Sequence, residues 1–251
     1  MKSHKVHTIG IYGYGAFGQL MAQFLAEHFK IYVFSRSRKA GVSDERVHFV
    51  DEETLFNKSD LVIFAIPVQF LKDVAQSLAK RKVVPQDTVL VDVSSVKVYP
   101  LEILQEQFPK HQILGTHPIF GPQSVQKYGL PGSKIVLSNV SFSQSLYEDI
   151  KRFLQNTLQL VVIEKTPQEH DQEMAYIQGL SHFVGRALAK IDIQEFATET
   201  FSYKHLVELK ELLKDDSWEL FKTIQNFNPY TTKLRERFLD TLNELNSKLQ
   251  E

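Results

Sequence analysis

The sequence predicts an α/β protein: an N-terminal doubly wound Rossmann sheet over residues 1–165, followed by an all-helical C-terminal domain over residues 166–251. Three observations predict it. The glycine triad Gly13-Tyr-Gly15-Ala-Phe-Gly18 sits between an apolar strand and an amphipathic stretch. Short apolar runs alternate with helical periodicity as far as Glu164, the pattern of parallel strands buried on both faces. From Pro167 onward no strand-like run occurs and helical periodicity takes over.

The elements follow in order. Val6 to Tyr12 reads as the first strand, Ala16 to His28 as a helix, and the next strand ends at Phe34. Asp60 to Pro67 is an apolar run stopped by proline, with a helix over Val68 to Ala79 behind it. Thr88 to Asp92, His111 to Gly115, Ser133 to Ser138 and Leu158 to Glu164 are further short strands, with a helix over Ser143 to Asn156. Thr166-Pro167 looks like a helix start, with Thr at the N-cap, Pro at the first helical position, and Glu169 and Asp171 in the first turn. Later helices are expected over Gln194 to Leu213, Asp216 to Asn226 and Pro229 to Lys248. A helical domain of this kind is expected to form a homodimer interface.

The glycine triad has the strand-turn-helix context that dinucleotide binding requires. Gly13 permits the tight turn, Gly15 lets a pyrophosphate approach the backbone, and Gly18 lets the helix pack closely on the strand. Ala16 and Phe17 open the helix, whose N-terminal N–H groups and positive dipole end favour phosphate. Ala65 and Pro67, at the carboxyl end of a buried run, complete this set of candidate cofactor contacts. At the end of the second strand an NAD site places Asp or Glu, whereas this chain has Ser35, Arg36, Ser37 and Arg38. Guanidinium groups pair well with a 2′-phosphate, so NADP is the expected cofactor. The glycines could also be a plain turn, and an Arg can sit near an NAD ribose.

Composition excludes several classes. With 29 basic and 30 acidic residues in 251, the net charge of −1 offers no electrostatic footprint for nucleic acid. No cysteine is present, so disulfides, thiolate catalysis and cysteine-bound metal are excluded; no metal site is expected. No apolar run reaches membrane-spanning length, and a strand beginning near Val6 leaves no room for a signal peptide, so a cytoplasmic protein without membrane partners is expected.

Three segments carry candidate chemistry. Asp92-Val-Ser-Ser95-Val-Lys97 follows a buried strand, at the edge where ligands bind doubly wound sheets; Ser there could equally be a turn or cap residue. Gly115-Thr-His117-Pro-Ile-Phe-Gly-Pro122 follows another strand, and its prolines and glycines predict an irregular loop holding His117. An imidazole with an ordinary pKa near 6.5 can accept a proton at neutral pH, which makes His117 a general-base candidate. Gln178, His182 and Arg186 share one face of an otherwise apolar helix, marking either a ligand or an internally satisfied network.

Taken in order, Gly-x-Gly-x-x-Gly, Asp-x-Ser-Ser-Val-Lys, Gly-Thr-His-Pro-x-Phe-Gly-Pro and His170-Asp171 followed by Ser181-His182 resemble the prephenate/arogenate dehydrogenase family. The likeness is greatest to the plant-type arogenate dehydrogenases, through Ser35-Arg36-Ser37, His182-Phe-Val-Gly-Arg186 and Ser202-Tyr203-Lys-His-Leu206. The resemblance implies oxidation of a cyclohexadienyl ring at its hydroxyl-bearing carbon, with loss of the ring carboxylate as carbon dioxide. It implies His117 as the group that binds the ring hydroxyl and takes its proton, and Ser95 as a second hydrogen-bonding partner of that hydroxyl. Lys97, Gln178, His182 and Arg186 become candidates near the substrate. Many prephenate-specific members carry an Arg in the helix after the Tyr, where this chain has Leu212; this tilts the expectation towards arogenate, with Lys204, Lys210 or Lys214 as other possible cations. A β-hydroxyacid or imine reductase, or a non-catalytic NADP-binding regulatory protein, is the alternative.

Overall fold

A computed structural model describes residues 6–37, 46–214 and 216–250. The chain divides into two compact units, Met1–Pro167 and Gln168–Glu251. The first contains strands β1 (Thr8–Tyr12), β2 (Lys30–Phe34), β3 (Val47–Phe49), β4 (Leu61–Phe64), β5 (Val89–Asp92), β6 (Ile113–Pro118), β7 (Lys134–Ser141) and β8 (Val161–Glu164). They form one sheet in the order β3-β2-β1-β4-β5-β6-β7-β8, in which only the β6–β7 pair is antiparallel. The helices of this unit are α1 (Ala16–Leu25), α2 (Glu52–Lys58), α3 (Leu71–Arg81), α4 (Val98–Gln107), α5 (Pro122–Tyr128) and α6 (Gln144–Arg152).

Alternation along the strands produces two separate cores. Ile9, Ile11, Ile63, Val91 and Leu114 cluster with α1 and α6 residues such as Ala22, Leu25 and Leu146. Tyr12, Val62, Phe64 and Leu90 cluster with Leu55, Leu71, Leu78, Leu101 and Leu104 of α2, α3 and α4. Both faces of the central strands are therefore covered, as their unbroken apolar runs require.

The amino ends of β1 and β4 are locked by Asp60, whose Oδ2 accepts from the backbone N–H of His7 (2.8 Å) and Thr8 (2.9 Å) and from Thr8 Oγ1 (2.8 Å). Partial burial pushes this carboxyl up, but the hydrogen bonds outweigh it and hold its pKa below the ordinary value of 3.8. A depressed carboxyl pKa adds stability above the unfolded value that disappears as pH falls through the folded one. Asp60→Asn is expected to lower stability by about 1 kcal/mol at pH 7, discounted for exposure, with the difference vanishing in acid. Urea unfolding of both proteins at pH 7 and pH 3 checks this.

The second unit is helical. It holds nearly all of α7 (Pro167–Met174), then a π-helical turn (Ala175–Leu180), α8 (Ser181–Lys190), α9 (Phe201–Leu213), α10 (Trp218–Phe227) and α11 (Thr231–Lys248). Among the described residues no helix is long and apolar enough to cross a membrane.

Several boundaries differ from expectation. The helix expected from Gln194 begins only at Phe201, because Asp192 takes a left-handed backbone (φ 54°) just past the end of α8 and Thr200 caps α9 through the N–H of Tyr203. The helix expected over Val68 to Ala79 is a 3₁₀ turn, Val68–Phe70, running into α3, and the one over Ser143 to Asn156 passes from α6 into a π-helical turn, Phe153–Thr157. β6 extends three residues further than expected, which changes the setting of His117 from loop to strand.

Candidate active site

Register across the sheet sets the site. Phe34 of β2, Tyr12 of β1, Phe64 of β4, Asp92 of β5 and Gly115 of β6 pair in one continuous row. The residues that follow each of them, beginning with Ser35, Gly13, Ala65, Val93 and Thr116, therefore lie along one edge. Four strand spacings separate the ends of this row, roughly 19 Å. Every candidate of the first unit except those outside the described residues lies on this edge.

At β1 the glycines play three distinct parts. Gly13 has φ +110°, and a Cβ there would lie 2.4 Å from the Ala65 carbonyl oxygen. A Cβ on Gly18 would lie 2.4 Å from the Gly13 carbonyl oxygen, so its absence lets α1 close onto the turn. Gly15 is different: its φ of −71° suits any residue, and a Cβ there would meet no protein atom within 4 Å. The space over Gly15, at the uncapped N-terminus of α1 where Ala16 and Phe17 begin the helix, is open. A phosphate-bearing cofactor fits this cradle, with free N–H groups directed at it. Gly15→Val is therefore expected to shift stability by no more than about 0.5 kcal/mol while abolishing nucleotide binding, whereas Gly18→Ala costs about 1–3 kcal/mol by overpacking. Thermal melts paired with cofactor titration separate the two effects.

At β2, Ser35 is half-buried with its hydroxyl on the Ser37 carbonyl (3.2 Å), while Arg36 and Ser37 are exposed. Arg38 lies outside the described residues. Ala65 and Pro67 follow β4, half-buried and exposed respectively.

At β5, Lys97 and Asp92 form an ion pair closed to solvent, with side chains 0% and 2% exposed. The Asp92 carboxylate also accepts the Ser94 N–H at 3.2 Å, and the Asp92 carbonyl accepts the Thr116 hydroxyl at 2.9 Å. Ser94 Oγ donates to the Val96 carbonyl (2.8 Å), which closes the turn and leaves the half-buried Ser95 at its tip. Lys97, a substrate-contact candidate, is thus placed beneath this turn.

His117 lies within β6, opposite Val136 of β7, and is only 3% exposed. The proline that follows ends the strand instead of making a loop around the imidazole. Ser138, opposite Gly115, is also fully buried, and its hydroxyl has no hydrogen-bond partner among the described residues. Sequence patterning gave no sign of that serine, whose place depends on the pairing of β7 with β6, nor of the Asp92–Lys97 pair, which closes within one turn and is signalled by no periodicity.

In the helical unit, His182 is buried, with Nδ1 3.4 Å from the Asp216 carboxylate. Burial pushes this imidazole below its usual range; Asp216 opposes the shift and Arg186 reinforces it. Arg186 donates to the carbonyls of Asp216 (2.5 Å) and Ser217 (3.2 Å) and lies over the rings of Trp218 and Phe221. Its guanidinium thereby ties α8 to the start of α10. Gln178 falls in the π-helical turn, half-buried. The wider turn means that a spacing of four no longer puts Gln178 on the face of His182 and Arg186. His170 Nδ1 and Asp171 pair at 2.7 Å, both fully buried. Leu212 is 74% exposed on α9, Lys210 donates to the Ile193 carbonyl (2.7 Å), and Lys214 pairs with Glu211. Among the described residues no group of three acidic or histidine side chains could hold a metal.

Sheet order, the glycine turn and the strand-end row define a nucleotide-binding α/β unit. The chain belongs to the family described as prephenate dehydrogenase, nucleotide-binding domain, whose model matches residues 21–157. A second model, TYRAAT1-like C-terminal domain, matches residues 187–251. Among curated relatives, arogenate dehydrogenase 1 (chloroplastic) of Arabidopsis thaliana is 29% identical over 96% of this chain, and arogenate dehydrogenase 2 is 29% identical over 91%. The alignments span 39% and 66% of those proteins, so this chain corresponds to only part of each. Prephenate dehydrogenase of Aquifex aeolicus, solved with hydroxyphenyl propionate and NAD+, superposes with a TM-score of 0.75 at 22% identity, covering 99% of this chain and 92% of that one. Synechocystis arogenate dehydrogenase gives 0.70 at 19% identity, covering 97% and 93%. These likenesses establish the fold.

Proposed function

We propose that this protein catalyses NADP-dependent oxidative decarboxylation of a cyclohexadienyl substrate, arogenate or prephenate, in tyrosine biosynthesis. The observation that carries the reading is the strand-end row, which aligns a phosphate cradle at Gly15, a serine-arginine pair at Ser35-Arg36, the Ser95 turn and a buried imidazole at His117. Similarity to curated arogenate dehydrogenases supports the substrate class.

A bound nicotinamide supplies the hydride acceptor. Gly13, Gly15 and Gly18 shape the cradle for its pyrophosphate, with Ala16 and Phe17 presenting the helix N-terminus. Arg36 meets the 2′-phosphate, where a guanidinium replaces the carboxylate of an NAD site. His117 accepts the proton of the ring hydroxyl as the carbon–hydrogen pair of electrons leaves, and Ser95 orients that hydroxyl. The carboxylate departs as carbon dioxide and leaves its electron pair in the ring, and the resulting phenolate oxygen takes back the proton held by His117 to give the phenol. Aromatisation supplies the driving force, so alignment of the two reactants is the main task of the protein.

In the helical unit Gln178 and His182 are the proposed substrate contacts, and this unit is proposed to pair two protomers. Leu239, Leu242 and Leu245 of α11 are exposed on successive turns, an apolar strip suited to a second copy.

NADPH formation by the purified protein, with arogenate or prephenate and with NADP or NAD in parallel, tests the reading. Turnover with either substrate and NADP is expected. Silence with both substrates despite cofactor binding would refute it.

A further inference from the structure

We propose that Phe70 is a positioning residue for the 2′-phosphate end of the cofactor, holding the Arg36 guanidinium in the orientation that recognises it. The inference rests on the reading above that Arg36 meets a 2′-phosphate, and names what fixes that charge in space. Arg36 lies on an exposed bend after β2, and a free arginine there would lose rotamer entropy on binding. In the structure its Cζ stands 5.7 Å from the centroid of the Phe70 ring, within cation–π range. The two residues come from different strand ends. Pro67 follows β4 and opens the 3₁₀ turn Val68–Phe70, which runs directly into α3. Val68 and Leu71 are each 2% exposed and anchor that turn in the core, while Phe70 between them is turned outward and 44% exposed. A lone exposed phenylalanine needs no explanation. One whose backbone is pinned on both sides, with a guanidinium over its ring, is a rigid platform.

Local charge leaves that guanidinium available. The Tyr12 phenol feels both Glu52 and Arg36, which places this carboxylate in the neighbourhood of Arg36. Both of its oxygens are engaged, one by the Tyr12 hydroxyl and the other by Arg81. Arg36 makes no ion pair with a described residue. A 2′-phosphate, carrying about −1.5 to −2 charges, then meets a cation that is oriented but not neutralised. Neither the ring nor the turn has a reason to distinguish NAD, which lacks that phosphate.

Binding of NADP and of NAD by calorimetry to wild type, Phe70→Leu, Phe70→Tyr and Arg36→Ala decides the matter. Phe70→Leu is expected to weaken NADP about five-fold and NAD less than two-fold, with Phe70→Tyr close to wild type because it restores the ring. Arg36→Ala is expected to weaken NADP at least as much, again sparing NAD. If Arg36→Ala is selective but Phe70→Leu is not, the positioning role fails while the phosphate assignment stands. Equal loss of both cofactors in Phe70→Leu would mean that the ring stacks on the adenine and does not serve Arg36. Equal loss in Arg36→Ala, or no binding of NADP to wild type, overturns the phosphate assignment and this inference with it.

Discussion

His117→Asn is expected to lower turnover by roughly two to four orders of magnitude while leaving NADP affinity within about two-fold of wild type. The size follows from removing the proposed general base, whose place is fixed before substrate arrives. His117 sits on an interior strand, paired on one side with β5 residues through Gly115 and Asp92 and on the other with Val136. Asparagine keeps a polar side chain of similar reach but cannot accept the proton at neutral pH. The cofactor cradle at Gly13–Gly18 belongs to β1 and α1, separated from β6 by two intervening strands, which is why binding is spared. Single-turnover kinetics with saturating NADP make the measurement. An unchanged rate would assign the base to another residue.

Lys97→Met is expected to destabilise the first unit by about 3–5 kcal/mol, the usual consequence of stranding one charge of a buried pair. Asp92 is 2% exposed and would retain the Ser94 N–H but lose its cation. The double variant Asp92→Leu with Lys97→Met should recover most of that loss, because no charge is then left in the core. It should nevertheless remain impaired in turnover, since the Ser94–Val96 turn that presents Ser95 is hung from the Asp92 carboxylate. Urea unfolding of the two variants, followed by steady-state kinetics, distinguishes a purely structural ion pair from one that shapes the site. Full activity in the double variant would show the pair to be dispensable for catalysis.

Much of this architecture was legible because parallel strands advertise themselves. Leu61–Phe64 and Val89–Val91 are unbroken apolar runs, and the glycine triad marks the turn between β1 and α1 without reference to the rest of the chain. What escaped was short or depended on distant partners. β3 has three residues, too few for a period, and α5 begins at Pro122 in a stretch whose prolines and glycines look like loop. α2 begins at an Asp51 N-cap and was overlooked for its seven-residue length; α4 carries Pro100 near its start, a residue that reads as a breaker. The setting of His117 is misplaced by local pattern. A His-Pro pair flanked by glycines reads as irregular chain, and only β7 on its other side, running antiparallel from Lys134, makes it a strand. The polar stripe of Gln178, His182 and Arg186 assumed an even helical period, which a π-helical turn interrupts.

Placing the imidazole on β6 also determines which parts of the molecule can open. Backbone amides of a strand bonded on both sides exchange with solvent only through large-scale unfolding, whereas turns and half-exposed segments open at far smaller free energy. In deuterium exchange, the amides of β6 from Ile113 to Gly115 should therefore be among the last of the first unit to become labelled, those next to His117 on the β7 side close behind, and the half-exposed Ser94–Ser95 turn earlier. The proposed proton acceptor is then carried by the part of the site that opens last.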